Sequence, residues 1–197
     1  MAKIAIDVVL LPPKDIIERS IELNRKYADE EQQLNYDDYV PHISLCMGII
    51  NEEDLSKADE IIQDIVKNFS ELSLNAKIET YLVGSTKKAF QFVTEKNNEI
   101  QLLHETIMKR LEPLLSYDVT SDMFVQQPPP RDFDVEWVRG YLTKASFDKF
   151  HPHITLGYGS PDLSNNESFT FTPNLLAIFQ LGNCCTCRKL LISNNLK

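Results

Sequence analysis

Pro41-His42-Ile43-Ser44-Leu45-Cys46-Met47-Gly48 returns later in the chain as Pro152-His153-Ile154-Thr155-Leu156-Gly157-Tyr158-Gly159. Five of the eight positions are identical, and a sixth exchanges one hydroxyl residue for another. The copies are offset by 153 − 42 = 111 residues, far beyond the period of a stacked repeat, so they predict two related halves that face each other. Both copies read as strands, in which residues two apart share a face. His42 then stands beside Ser44 and His153 beside Thr155, while Ile43, Leu45, Ile154 and Leu156 turn to the core. Core packing accounts for the repeated isoleucines and leucines. It gives no reason to repeat an imidazole and a hydroxyl on the opposite face.

That pairing suits displacement at phosphorus, where one group takes a proton from the nucleophile and another gives one to the leaving oxygen. Histidine does both near neutral pH, because its unperturbed pKa is about 6.5. The hydroxyls of Ser44 and Thr155 can donate to nonbridging phosphate oxygens. The scheme needs no metal or other cofactor, and no carboxylate or third histidine lies at a ligand-like offset in both copies.

Outward from the motifs, residues 4–11 read as a buried strand ended by Pro12-Pro13, and residues 15–31 as a helix with a moderate apolar stripe. The first motif strand is expected over 39–45. Residues 52–69 carry the clearest helical period, behind Asn51 as a candidate N-cap. Alternation over 72–82, a turn at Gly84-Ser85 and the run 89–94 predict a hairpin. Asn97 or Asn98 then caps a helix carrying Ile100, Leu103, Ile107, Leu111 and Leu114. Pro128-Pro129-Pro130 marks a loop, residues 135–142 form a short element of ambiguous type, and 169–171, 177–181 and 190–192 read as late strands with a turn at Gly182-Asn183. Strands and helices without a strict βαβ rhythm predict an α+β fold with antiparallel sheets.

The chain has 197 residues, and Lys+Arg 20 against Asp+Glu 29 gives a net charge of −9. Residues 1–70 hold 7 basic and 15 acidic side chains and residues 71–197 hold 13 and 14, so the charge divides as −8 and −1. This argues against proteins that track long nucleic acid through a basic stripe. No run approaches the roughly 20 apolar residues of a membrane span, and the N-terminus lacks the pattern of a signal peptide, so a cytoplasmic chain without a membrane partner is expected. Cys46, Cys184, Cys185 and Cys187 are then expected as reduced thiols. Cys-Cys-x-Cys lacks a second ligand pair, and adjacent strand residues point to opposite faces.

Two His-x-Ser/Thr motifs set in apolar strands and separated by about half the chain resemble the two-histidine (2H) phosphoesterase superfamily, which includes 2′-5′ RNA ligase-like proteins and cyclic nucleotide phosphodiesterases. The resemblance implies one domain, residues 1–197, of two pseudosymmetric antiparallel-sheet lobes with outer helices. Each lobe contributes one motif to a central cleft. It implies a metal-independent phosphodiesterase acting on 2′,3′-cyclic phosphates or 2′-5′ linkages, with small nucleotides or short RNA ends as substrates and a monomer as the working unit. His42 and His153 match the catalytic histidines, and Ser44 and Thr155 the phosphate-binding hydroxyl residues. Ser44 departs mildly from the commoner threonine. Hydrolysis of cyclic di- or oligonucleotides, and a noncatalytic nucleotide-binding module, are the competing expectations.

Around the motifs, Tyr158 and Tyr39 are candidates to stack on a base, and Trp137 is either a lid aromatic or a core plug. Arg139, Lys144 and Lys149 are candidates for a further phosphate contact, set against a solvated face. His151 reads as an exposed strand-end residue and His104 as a boundary residue of its helix. The acidic runs Asp29-Glu30-Glu31 and Glu52-Glu53-Asp54 read as solvated.

Overall fold

A computed structural model describes residues 2–29, 33–69, 72–83, 87–164 and 166–196. In chain order the elements are β1 (Lys3–Leu11), α1 (Lys14–Tyr27), β2 (Ile43–Asn51), α2 (Leu55–Asn68), β3 (Leu74–Val83), β4 (Lys87–Thr94), α3 (Asn98–Leu111), α4 (Asp132–Lys144), β5 (His153–Tyr158), β6 (Phe169–Phe171), β7 (Leu175–Leu181) and β8 (Cys187–Asn195). Two antiparallel four-stranded sheets result, ordered β2-β1-β7-β8 and β5-β4-β3-β6. The fold is thus α+β and two-lobed. The motif strands β2 and β5 are the edge strands of their sheets and approach each other between the lobes.

The two halves match down to a bulge. Val9 pairs with Ser44 and Leu10 with Ile43, and the register slips beyond Val9 so that Leu45 is passed over. Gln91 pairs with Thr155 and Phe92 with Ile154, and the same slip passes over Leu156. A bulge takes its residue out of the ladder and leaves backbone groups to satisfy elsewhere. The Leu45 carbonyl accepts from His104 Nδ1 of α3 at 2.7 Å, and the Leu156 carbonyl accepts from Asn24 Nδ2 of α1 at 2.7 Å. Each helix therefore serves the motif of the opposite half: α1 packs on β5, and α3 on β2.

His104 corrects the boundary reading, since it is fully buried. Its Nε2 accepts from the Phe147 backbone N–H at 2.7 Å, and its ring stacks on Phe150 at 4.1 Å. It thereby ties the first motif to the turn that leads into the second. The edges are also covered in parallel ways. Ala28, just past α1, bridges to Gly159, and Ser116, past α3, bridges to Ile49. At Gly159 the Tyr27 carbonyl comes so close that a Cβ would lie 1.9 Å from its oxygen, which is why that motif position excludes a side chain.

Several boundaries differ from the sequence reading. β2 begins at Ile43 and runs on to Asn51, because Cys46, Met47, Ile49 and Ile50 continue the buried run. α1 stops at Tyr27, where Ala28 turns to extended backbone for its bridge. A single 3-10 turn, Glu52–Asp54, precedes α2, and the Asn51 side chain bonds Asp54 without capping the helix. Asn97 caps α3, its Oδ1 accepting from Ile100 N–H at 2.9 Å. The ambiguous 135–142 element is the helix α4. The expected turn at Gly84-Ser85 lies outside the described residues, as do Glu30 and Glu31; β3 and β4 pair in register from Ala76 with Thr94 to Val83 with Lys87.

One apolar core joins both sheets, with Ile6, Ile43, Leu45, Phe90, Phe92 and Ile100 fully buried. The other face of β1 forms a smaller cluster with Val9, Leu11, Val40, Phe179 and Cys187. Asp7 lies on that second face, in line with Val9 and opposite Met47 and Phe179.

Candidate active site

A cleft of about 690 Å³ between the sheets is lined by His42, Ser44, His153, Thr155 and Tyr158 together. Both histidines, both motif hydroxyl residues and Tyr158 thus meet in one place. His42 Nδ1 lies 2.6 Å from the Val40 carbonyl, and His153 Nδ1 lies 2.7 Å from the His151 carbonyl, each two residues back along the chain. A carbonyl only accepts, so in both rings Nδ1 carries the proton and Nε2 keeps its lone pair. Burial lowers the His42 pKa to about 4, against the Val40 bond that favours its charged form, and a charge on His153 disfavours one on His42. Burial lowers His153 as well. Burial thus favours the neutral form of both imidazoles in the free protein.

The two hydroxyls are not equivalent. Ser44 Oγ donates to Asp7 Oδ2 at 2.6 Å, whereas Thr155 is exposed to the cleft. Asp7 is fully buried, and burial pushes its carboxyl well above the ordinary carboxylate range, opposed by the bonds from Ser44 and from the Cys46 backbone. Its Oδ2 also lies 3.7 Å from His42 Nε2, too far for a hydrogen bond. In the second half the place of Asp7, opposite motif position Tyr158, is taken by Ala89. The signal for Asp7 was present in the sequence, as the single charge inside an otherwise apolar strand interior.

The walls add aromatic and basic groups. Phe133 and Trp137 of α4 stack at 6.3 Å, and Phe133 is 64% exposed, so Trp137 belongs to a cleft wall and not to the core interior. Tyr81 and Tyr158 also line the cleft. Tyr39 lines it too, but its hydroxyl donates to Asn183 Oδ1 and accepts from Arg188, whose guanidinium lies over the ring. Of the three basic candidates, Lys144 and Lys149 line the cleft, while Arg139 is turned to Glu136 and the Val119 carbonyl and does not. His151 is exposed, as expected, and serves through its carbonyl. Sequence reading passed over Arg131, which lines the cleft and pairs with buried Asp134 at 2.8 Å. Its i, i+3 spacing from Asp134, across the N-terminus of α4, was the available sign.

Cys184 and Cys185 sit in a 3-10 turn, Asn183–Cys185, with positive φ, and of the three clustered cysteines Cys187 alone is in a strand. Among the described residues, the one trio with donor atoms close enough to share a metal is Asp7, His42 and Cys187, within 4.8 Å of one another. Burial raises the Cys187 thiol pKa well above its usual range, so it would have to shed a firmly held proton to become a ligand.

No protein-family model and no curated protein matches the chain. Among solved structures, TT0787 of Thermus thermophilus is similar with a TM-score of 0.61 at 13% identity, covering 98% of this chain and 98% of that one. E. coli LigT complexed with 3′-AMP gives 0.60 at 13% identity, covering 100% and 99%. A phosphoesterase gives 0.58 at 11% identity, covering 98% and 97%. Over essentially its whole length, the chain has the two-lobed fold of LigT and of that phosphoesterase, the fold that the repeated motif implied.

Proposed function

We propose that the chain is a metal-independent phosphodiesterase acting on 2′,3′-cyclic phosphates or 2′-5′ linkages of nucleotides and short RNA ends. The observation that carries this reading is the matched pair of imidazoles, each with Nδ1 fixed on a main-chain carbonyl and Nε2 without a hydrogen bond among the described residues, in a shared cleft. A phosphate entering between them brings negative charge, which favours protonation of one ring. The neutral ring takes a proton from water as its oxygen attacks phosphorus. The protonated ring gives its proton to the departing ribose oxygen as the P–O bond breaks. Each carbonyl at Nδ1 steadies the imidazolium when its ring is charged. Thr155 and Ser44 donate to nonbridging oxygens, where charge accumulates.

The aromatic wall of Phe133, Trp137, Tyr81 and Tyr158 offers flat surfaces for a base, and Lys144 and Lys149 offer charge for a further phosphate. LigT, which shares the fold, has been crystallised with 3′-AMP and with NADP+, which supports a small nucleotide as the ligand. All groups come from one chain, which fits a monomer.

The test is a panel of 2′,3′-cyclic mononucleotides, 2′-5′ oligoadenylates and cyclic dinucleotides, run with chelator and followed by product chromatography. Turnover of the first two classes is expected to survive chelation. His42→Ala and His153→Ala should each lose on the order of 10²- to 10⁴-fold in kcat while keeping the fold. Retained activity in either folded variant overturns the mechanism. Binding without product across the panel favours a noncatalytic module, and loss on chelation reinstates a metal.

A further inference from the structure

Asp7 is the polar group for which the two-histidine scheme has no use. It is fully buried, its Oδ1 has no hydrogen-bond partner among the described residues, and no lysine or arginine there pairs with it. The titratable groups around it are the thiols of Cys46, Cys185 and Cys187, the Tyr141 phenol and the His42 ring. Only His42 can become a cation. An ionised Asp7 would place an uncompensated anion directly behind Ser44, and it would hold the Ser44 proton on its own side. The serine would then turn only lone pairs towards an anionic phosphate, which repels it.

We propose that Asp7 is a positioning residue that works as a neutral acid: its carboxyl O–H donates to Ser44 Oγ, and the Ser44 proton is thereby left for a nonbridging phosphate oxygen. The inference rests on the reading of the cleft as a phosphate site. The 2.6 Å separation accommodates donation in either direction, so the reversal needs no movement of heavy atoms. The second half has Ala89 in the equivalent place and an exposed Thr155 that rotates without such a partner. Asp7 therefore makes the halves unequal, with Ser44 a pre-aimed donor and Thr155 an adaptable one.

The experiment uses the full chain with 13C-labelled aspartate, the Asp7 carboxyl carbon being identified by its loss in Asp7→Asn. At pH 7, with and without inorganic phosphate, its shift should be that of a protonated acid. A carboxylate shift in the phosphate complex overturns the proposal. On a 2′,3′-cyclic mononucleotide, Asp7→Asn retains an N–H donor to Ser44 and should stay within about threefold of wild-type KM, whereas Asp7→Leu should raise KM by about tenfold or more with a smaller change in kcat. In a Ser44→Ala background the two variants should be indistinguishable. If Asp7→Asn is as impaired as Asp7→Leu, the anion is the working form and the proposal fails. The NMR arm needs only inorganic phosphate, so it still reads Asp7 if the substrate panel shows no turnover.

Discussion

His42 and Asp7 show how burial sets the working state of single residues here. For His42, burial disfavours the imidazolium and leaves a base with pKa of about 4. For Asp7, burial disfavours the carboxylate and favours the acid. The second shift has a consequence for stability. Below about pH 4 the Asp7 carboxyl is protonated in both folded and unfolded chains, and its contribution to folding is fully present. As the pH rises, the unfolded chain releases that proton while the folded chain keeps it, so wild-type stability is lost until the raised folded pKa is passed. Asp7→Asn removes this term. Its melting temperature relative to wild type should therefore climb steadily between pH 4 and pH 8, measured by thermal unfolding across that range. A difference independent of pH would mean that Asp7 ionises normally in the fold.

At the scale of elements, the bulges at Leu45 and Leu156 explain both what the sequence revealed and what it concealed. The eight-residue repeat exposed the two motif strands, the shared face of histidine and hydroxyl, and with them His42, Ser44, His153, Thr155 and Tyr158 of the cleft. It did not expose the partners of the freed carbonyls, because Asn24 and His104 lie on helices of the opposite half and follow no common local pattern. His104 looked like a stripe-edge residue for the same reason: its burial comes from Leu45, Phe147 and Phe150, which are distant in sequence. α4 was equally obscure, since its buried face of Asp134, Val138 and Tyr141 includes a carboxylate and Gly140 lies beside it, which leaves a weak apolar period. The two carbonyl bonds should matter in parallel. Asn24→Ala and His104→Leu each leave a buried carbonyl without its donor and should cost about 1–3 kcal/mol in urea unfolding. A loss below about 0.5 kcal/mol in both would show that the bulged carbonyls are satisfied in some other way.

For the whole molecule, charge and cleft point in different directions. The net charge is −9, of which −8 falls in residues 1–70, yet the cleft is lined by Arg131, Lys144 and Lys149 against Glu79 and Asp134, with buried Asp7 behind Ser44. Arg131 is spent on Asp134, Glu79 pairs with Lys77, and a neutral Asp7 adds no charge, which leaves Lys144 and Lys149. Long polyanions meet a repelling exterior, while a compact ligand that reaches the cleft meets a small local excess of positive charge. Such a ligand releases counterions for only one or two phosphates. Its KM should consequently rise by less than about tenfold between 50 and 200 mM salt, where a protein gripping six to ten phosphates loses about 10³- to 10⁵-fold. Kinetics of a 2′,3′-cyclic mononucleotide across that salt range measure the slope directly. A slope corresponding to six or more released counterions would place the binding surface outside the cleft, on basic patches that the acidic first third of the chain does not supply.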